Sequence, residues 1–329
     1  MRTWCAPDFP RRLAPTCAAV IACVIGSIVA RAAPPPDPHA ATPPDAAALL
    51  REKYETLKTR LEQSSLQAPL YLESTEGHNE LRGDVYAVID HPIATASAAL
   101  TSPADWCDVL LLHPNVKFCR PVPRGEGVAL SVAIGRKIEE PLNRVRRVDF
   151  EFRVAPPRSD YMAVDLYAAK GPLGTSDYRI ALDAVGLDSG RTFLHLRYSY
   201  RYGFWARLAM RMYLRGAGRD KVGFTTVGTG HESTPKFIDG LRGIIERNSM
   251  RYYLAIDVYL NAFAAPAPAR FDQSLERWFD ASERYSRQLH EMDRTTYLAM
   301  KRREYARQRS TEAYREPSDP APCVDASCP

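Results

Sequence analysis

Few side chains in this sequence stand in a pattern that catalysis would require. The most suggestive is the run Gly-Thr-Gly-His-Glu at residues 228–232, in which a glycine pair precedes His231 and Glu232. A lone Gly-x-Gly is weakly specific, and no phosphate-loop lysine follows it in register. The two side chains would also point to opposite faces of a regular strand, so we interpret the run as a turn. No Gly-x-Ser-x-Gly elbow occurs either, and we predict no catalytic residue and no cofactor.

The binding of an apolar molecule is better supported, by alternating large side chains within residues 127–202. Val148 to Val154 and Arg191 to Tyr202 each place apolar groups on one face of a strand. Tyrosine suits such a face because its ring is apolar and its hydroxyl can bond a polar group of a ligand. The predicted ligand-binding residues are Phe150, Phe152, Leu194, Leu196, Tyr198 and Tyr200. In the other interpretation these side chains simply fill the core.

Polar side chains alternate with these apolar ones. Glu151, His195 and Arg197 should therefore face away from any cavity that the apolar face encloses. If they pointed inward instead, beside the tyrosines, an acid or base for catalysis would be available.

Four cysteines lie beyond the first 32 residues: Cys107, Cys119, Cys323 and Cys328. An even number in an oxidising compartment suggests disulfides, and four cysteines allow three pairings. Proximity favours Cys107–Cys119 and Cys323–Cys328, with free thiols or an exchange of partners as the alternatives. No CxxC or paired Cys/His spacing indicates a metal site.

The first 32 residues have the pattern of a secretory signal. Arg11 and Arg12 precede an apolar run over residues 13–30, and Ala30 and Ala32 are small residues suited to cleavage after Ala32. The mature protein would then be periplasmic or secreted. The run is also about long enough to remain as an inner-membrane anchor. Residues 20–23 resemble a lipoprotein cleavage box, but the chain after them stays strongly apolar, which disfavours that interpretation.

The composition, at 45% hydrophobic and 25% charged, is that of a globular protein with a sizeable core. The formal charge of +5 is concentrated at the N-terminus, since residues 1–32 hold four arginines and one aspartate. The remaining chain has nearly equal numbers of basic and acidic residues. This balance gives no support for nucleic-acid binding.

The order of predicted elements is informative. A strand in residues 81–90 is followed by Pro92, two short helices that include Asp105-Trp106, an antiparallel run of strands, and a long helix over residues 235–263. This order resembles the START-like (SRPBCC, helix-grip) superfamily over about residues 81–263, here as an exported bacterial member. The resemblance implies an α+β fold: a curved antiparallel β-sheet of about seven strands gripping a long helix. Extra N- and C-terminal helices would be added to it.

The predicted organisation has six parts. They are a signal peptide (1–32), a Pro/Ala-rich linker (33–44), an N-terminal helix and connector (45–80), the START-like domain (81–265), a long C-terminal helix (271–313) and a flexible tail (314–329). The N-terminal helix should pack through an apolar stripe at Leu50, Tyr54, Leu57 and Leu61.

Two helices have alternative interpretations. Residues 204–215 form an amphipathic helix with Arg207, Arg211 and Arg215 on one side, which either packs on the core with a solvated arginine stripe or touches a membrane near a cavity mouth. The heptad pattern of residues 271–299 should pack on its own domain, with a partner helix as the alternative.

The sequence therefore favours a periplasmic binding or carrier protein for a lipid or other apolar small molecule held in a helix-grip cavity. An enzyme of cyclase or hydrolase type acting on an apolar substrate is the first alternative, implied by the resemblance. An interaction module that uses the C-terminal helix is the second.

Overall fold

A computed structural model describes residues 45–187, 190–216, 218–229 and 235–310 of the chain. The predicted signal peptide, the linker, the tail, Cys323, Cys328, and the His231–Glu232 pair all lie outside these residues. Among the residues described, no helix combines the length and the apolar character that crossing a membrane requires.

The centre of the fold is an eight-stranded antiparallel sheet. Its strands are β1 (Leu70–Glu76), β2 (Glu80–Ile89), β3 (Val116–Arg124), β4 (Gly127–Ile134), β5 (Arg146–Val154), β6 (Tyr161–Lys170), β7 (Thr175–Gly186) and β8 (Thr192–Tyr202). They lie in the order β1-β2-β8-β7-β6-β5-β4-β3. From β3 to β8 the chain is a simple meander, and β2 then pairs with β8 to bring the first strands alongside the last.

The sheet has eight strands where about seven were expected, because β1 lies in the segment predicted as a connector. Leu70 and Leu72 of β1 are buried, while Tyr71 and Glu73 between them are partly exposed. This short alternation is a strand pattern with a period of two, and it pairs residue by residue with β2.

Eight α-helices surround the sheet in the described part of the chain. They are α1 (Ala46–Glu62), α2 (Ile93–Leu100), α3 (Pro103–Leu111), α4 (Phe204–Arg215), α5 (Gly240–Ala262), α6 (Ala267–Glu283), α7 (Ser286–Leu289) and α8 (Arg294–Arg309). The two short helices expected after Pro92 are present. Ser102 caps α3, since its hydroxyl accepts a bond from the Asp105 amide at 3.4 Å.

The sheet buries its inner face and the part of its outer face that α1 covers. The inner face, which includes Leu194 and Leu196, joins one core with α5. The outer face, which includes Phe193, packs on α1, where Leu50, Leu57 and Leu61 are buried as the stripe predicted. The alternation expected along β8 is thus confirmed, and α5 lies against the sheet as the gripped helix.

The gripped helix begins at Gly240 and not at Pro235 as expected. Pro235–Phe237 instead forms a short strand, β10, antiparallel to β9 (Thr226–Thr229). Gly240 has φ of +64°, in the left-handed region that glycine tolerates best, and this sets the sharp entry into the helix.

The expected single C-terminal helix over residues 271–313 is wrong. The chain turns back after α6, and α8 begins where the Asp293 carboxylate accepts a bond from the Thr296 amide at 2.9 Å. Three helices replace one, because an antiparallel hairpin lets the aromatic side chains of α6 and α8 face each other. Trp278 and Tyr297 stack with ring centroids 5.0 Å apart. Both are buried in the main core, so the segment packs on its own domain.

The predicted disulfide between Cys107 and Cys119 is present, with Cα atoms 5.1 Å apart. It ties α3 to β3, the strand at one edge of the sheet. Both side chains are buried.

Candidate functional site

Two adjoining cavities lie between the inner face of the sheet and α5. The more enclosed one, here called the inner cavity, has a volume of about 150 Å³. The more open one, the outer cavity, has a volume of about 310 Å³. Four residues line both of them: Asn115, Pro172, Tyr178 and Asn248. The two cavities therefore adjoin along these four residues.

The inner cavity is mostly apolar. Its lining comprises Leu110, His113, Asn115, Val116, Val132, Ile134, Phe150, Pro172, Tyr178, Ile180, Tyr198, Asn248 and Tyr252. The rings of Tyr198 on β8 and Tyr252 on α5 lie 5.2 Å apart and connect the sheet to the helix. Burial raises the pKa of both tyrosines, so their hydroxyls stay protonated. A cavity of this size with apolar walls can hold a benzene-sized group, so a larger ligand would have to occupy part of the outer cavity as well.

His113 lies in the same wall as a neutral imidazole. Burial lowers its pKa well below the usual value, and the charge of Arg251 lowers it further. Its Nδ1 accepts a bond from the Asn115 amide at 3.2 Å, and its ring stacks on Tyr252 with centroids 4.9 Å apart. The side chain therefore contributes to the wall without adding charge.

The outer cavity has an apolar side and a basic side. Its lining comprises Asn115, Lys137, Pro172, Thr175, Tyr178, Tyr200, Ala206, Ala209, Met210, Tyr213, Ile244, Arg247, Asn248 and Arg251. Tyr178 and Tyr200 stack with centroids 4.9 Å apart and form part of the apolar side. Helix α4 supplies Met210 and Tyr213 at the rim.

Helix α5 positions the basic side. Arg247 and Arg251 are one turn apart, so both project from the same face of the helix towards the cavity. Their exposed fractions are only 3% and 1%. Lys137, in the segment after β4, completes the group, with its Nζ 2.5 Å from the Glu291 carboxylate.

Burial favours the uncharged form of each of the three basic side chains. It lowers the pKa of Lys137 to about 8, with a further decrease from the neighbouring Arg251 charge. It also lowers the pKa of Arg247 and of Arg251. For Glu291, burial alone would raise the pKa, but the charges of Arg251 and Lys137 hold it below its usual value. Glu291 is therefore a carboxylate anion.

The six predicted ligand-binding residues do not all meet at these cavities. Phe150 and Tyr198 line the inner cavity and Tyr200 lines the outer one. Phe152, Leu194 and Leu196 are buried in the core and line neither cavity. The assignment of a ligand to these six positions stays a prediction.

The polar residues of the alternate positions point away from the cavities. His195 lies on the outer face, where its Nε2 is 2.7 Å from the Asp84 carboxylate and its ring stacks on Tyr86 at 4.3 Å. Although burial raises it, the pKa of Asp84 stays well below its usual value because His195 and Arg82 hydrogen-bond its carboxylate. Arg197 also contacts Asp84, at 3.3 Å. This cluster belongs to the face covered by α1.

The basic side of the outer cavity was missed from the sequence. Its signal was available, since Arg247 and Arg251 are two cations at a spacing of four within a helix expected to be gripped by the sheet. Charges on the buried face of such a helix need a partner or a function. Lys137 carries no comparable signal, because only the folded chain brings it beside α5.

No family model matches the sequence, and no curated protein matches it. Among solved structures, human StAR-related lipid transfer protein 5 is 8% identical with a TM-score of 0.34, over 66% of this chain and 99% of that one. Ara h 8.0201 is 10% identical with a TM-score of 0.32, over 59% and 99%. Truncated norcoclaurine synthase from Thalictrum flavum is 12% identical with a TM-score of 0.29, over 44% and 91%.

At TM-scores this low, these likenesses carry no argument about function. The fold rests on the chain's own architecture: the strand order of the eight-stranded antiparallel sheet and the helix α5 against its inner face. Those two features are the helix-grip arrangement expected from the sequence, an antiparallel sheet with a long helix against one face.

Proposed function

We propose that the protein is a binding or carrier protein for a lipid or other apolar small molecule, acting in the periplasm or outside the cell. The observation that supports this most directly is the pair of adjoining cavities, inner and outer, under α5. Pockets that hold apolar ligands are concave, mostly apolar and furnished with a few polar groups that fix orientation. Tyr178 and the two asparagines of the shared walls meet that description.

The mature chain, residues 33–329, provides the test. Organic extraction of the purified protein followed by mass spectrometry should release an apolar molecule in a fixed ratio to protein. A protein that carries nothing and does not bind the uncharged dye Nile red would contradict the proposal.

Two matched substitutions tie binding to the inner cavity. Val132 lines it, and Val148, paired with Val132 across β4 and β5, does not. Val132→Phe should fill the cavity and abolish Nile red binding with little loss of stability. Val148→Phe should overpack the core, reduce stability by about 1–3 kcal/mol and leave dye binding intact. Equal effects of the two changes on dye binding would exclude the inner cavity as the site.

We further propose that α4 contacts a membrane surface when the ligand is loaded. Phe204 and Met212 of α4 are 72% and 65% exposed. The helix also carries Arg211 and Arg215, both exposed. Apolar and basic groups on one helix suit an anionic bilayer, and the same helix lines the outer cavity.

Co-sedimentation with vesicles of anionic phospholipid tests this contact. The double variant Phe204→Ser/Met212→Ser should reduce the bound fraction several-fold. Leu49→Ser on α1, where Leu49 is 52% exposed, is the matched control and should have no effect. Identical binding by all three proteins would contradict a role for α4.

The described linings of the two cavities hold no aspartate or glutamate. We therefore put forward no catalytic step for the enzyme alternative.

A further inference from the structure

Cations outnumber anions around the outer cavity. Lys137, Arg247 and Arg251 all line it. Glu291 forms the ion pairs described for this group, to Lys137 and to Arg251. One carboxylate thus serves two cations, and Arg247 has no carboxylate among its described bonds. The described part of the chain leaves this cluster with a net positive charge.

The donors of the two arginines are only partly used. Arg247 donates from Nη1 to the Val222 carbonyl at 3.2 Å. Arg251 donates to Asn248 Oδ1 at 3.2 Å and to Glu291, but its buried Nε has no hydrogen-bond partner in the described structure. A buried cation that lacks compensation is strongly destabilising unless something else supplies the negative charge.

The neighbouring acid on α5 cannot supply it. Glu246 is fully buried. Its Oε1 accepts bonds from Ser74 at 2.6 Å and from the Thr225 hydroxyl at 2.8 Å. Its Oε2 accepts bonds from the amides of Phe224 and Thr225, at 2.6 Å and 2.9 Å. Glu246 is therefore committed to holding the segment at residues 224–225 against α5 and β1.

We propose that the basic side of the outer cavity binds the anionic head group, a carboxylate or phosphate, of an amphiphile whose apolar part extends into the inner cavity. This inference rests on the proposed function and specifies its ligand class. Arginine is suited to the role because its planar guanidinium can bond two oxygens of a carboxylate or phosphate at once. The head group would supply the missing negative charge, and the shared wall at Tyr178 and Asn248 would lead the chain inward.

Calorimetric titration of the delipidated mature protein at pH 7 tests the inference with five compounds. They are dodecanoate, dodecyl phosphate, 1-dodecanol, acetate and inorganic phosphate. We expect dodecanoate or dodecyl phosphate to bind at least about tenfold more tightly than dodecanol, because a desolvated charge-assisted bond contributes about 1.5–3 kcal/mol. Acetate and phosphate should bind far more weakly than the amphiphile that carries the same head group.

A pair of matched variants assigns the preference to one side chain. Arg247→Met keeps an unbranched apolar side chain and removes the charge. Arg242→Met removes the same charge from the same helix at a position that does not line the cavity. Arg247→Met should remove most of the preference for the anionic amphiphile while dodecanol binding stays unchanged, and Arg242→Met should keep the preference. Thermal unfolding without ligand should show Arg247→Met to be no less stable than wild type, since a buried charge is removed.

The outcomes separate this inference from the proposed function. If neither dodecanol nor the anionic amphiphiles bind, the proposed function fails and this inference with it. If dodecanol and dodecanoate bind equally, the proposed function stands and the head-group site is wrong. Tight binding of phosphate or acetate alone would indicate a free-anion site instead. A folded Arg247→Met protein that keeps the full preference would also overturn the assignment.

Discussion

The rings of Phe271 and Tyr305 lie stacked, with centroids 3.9 Å apart and planes within 5° of parallel. Phe271 stands near the start of α6 and Tyr305 near the end of α8, so the contact joins the two open ends of a helical hairpin. Because Phe271, Trp278 and Tyr297 are buried in the main core, the hairpin is part of the domain. This arrangement argues against the hypothesis of a free interaction arm.

Removal of residues 267–329 should therefore leave a protein that aggregates. A milder test is Trp278→Ala, which deletes a buried indole whose Nε1 donates to the Arg251 carbonyl at 3.2 Å. We expect a loss of about 3–5 kcal/mol in the free energy of unfolding, measured by urea denaturation. Asp272→Ala, on the exposed side of the same helix, should cost less than about 1 kcal/mol. A soluble, cooperatively folded truncation would restore the interaction-arm hypothesis.

The disulfide between Cys107 and Cys119 should stabilise the fold. Closing a loop of this length contributes about 3 kcal/mol in the chain-entropy account. We expect Cys107→Ala and Cys119→Ala to lower the melting temperature by similar amounts, and the double variant to be no worse than either. Reductant should destabilise the wild type and leave the double variant unchanged. Additive losses would show that the two sulfurs act independently.

The buried carboxylate of Glu304 should be essential for stability. It lies 3.1 Å from the Lys117 ammonium and 2.7 Å from that of Lys301, and all three side chains are buried. Glu304→Gln leaves two buried cations without a counter-charge, so we expect a loss of about 3–5 kcal/mol in denaturant unfolding. Glu139→Gln is the control, because its partner Arg303 on the same helix is exposed, and it should cost about 1 kcal/mol or less. Similar losses for the two variants would refute the role given to Glu304.

Asp108 should make stability depend on pH. Burial, together with the nearby Asp105 charge, raises the pKa of Asp108 to about 7. Between its unfolded value of 3.8 and about 7, the folded state keeps a proton that the unfolded state releases. The contribution is therefore complete below pH 3.8 and is lost as pH rises to about 7, by at most about 1.4 kcal/mol per pH unit.

The variant Asp108→Asn isolates this term, since its amide oxygen can still accept the bond that Gln308 donates to Oδ1 at 3.0 Å. We expect the variant to be more stable than wild type at pH 8, with the advantage disappearing near pH 4. Urea unfolding across this range measures the difference. An advantage that does not change with pH would mean that Asp108 has no raised pKa.

Gly83 should tolerate no side chain without rearrangement. A Cβ placed there would lie 2.3 Å from Ser249 Oγ, where β2 passes closest to α5. Gly83→Ala should cost about 1–3 kcal/mol, as overpacking usually does. Adding Ser249→Ala removes the opposing hydroxyl and should recover part of the loss. A second change that gives no recovery would place the strain elsewhere.

The faces of the elements were predictable from the sequence, and their ends were not. The alternation at Leu194 and Leu196 follows the two-residue period of a strand, and the apolar stripe of α1 follows the period of a helix. In both elements the face predicted to be apolar is the one that is buried. The turn between α6 and α8 could not be predicted, because the heptad pattern of apolar residues continues through it. The N-cap residue Asp293 is a local signal that lies within this longer heptad pattern. The start of α5 was misplaced because Pro235 fits a first helical position as well as it fits β10.

The candidate site was predictable only in its apolar half. Phe150 came from the alternating pattern of β5, and Tyr198 and Tyr200 came from that of β8. The basic half joins Lys137, the arginines of α5 and Glu291, whose positions in sequence bear no relation to one another. Such a group exists only once the sheet has closed on α5 and the C-terminal hairpin has folded back, so a local pattern can indicate the two arginines but not the residues that join them.

The pairing of β2 with β8 has a kinetic consequence. Asp84 and His195, which meet across that pair, are 111 positions apart, whereas each pair from β3 to β8 joins strands adjacent in sequence. The meander can form by successive short closures, but the final pairing must close a long loop at a cost in chain entropy. The Cys107–Cys119 bond shortens that loop only slightly. We therefore expect refolding in the millisecond-to-second range typical of non-local β topologies. The pairing of β2 with β8 should be the last step.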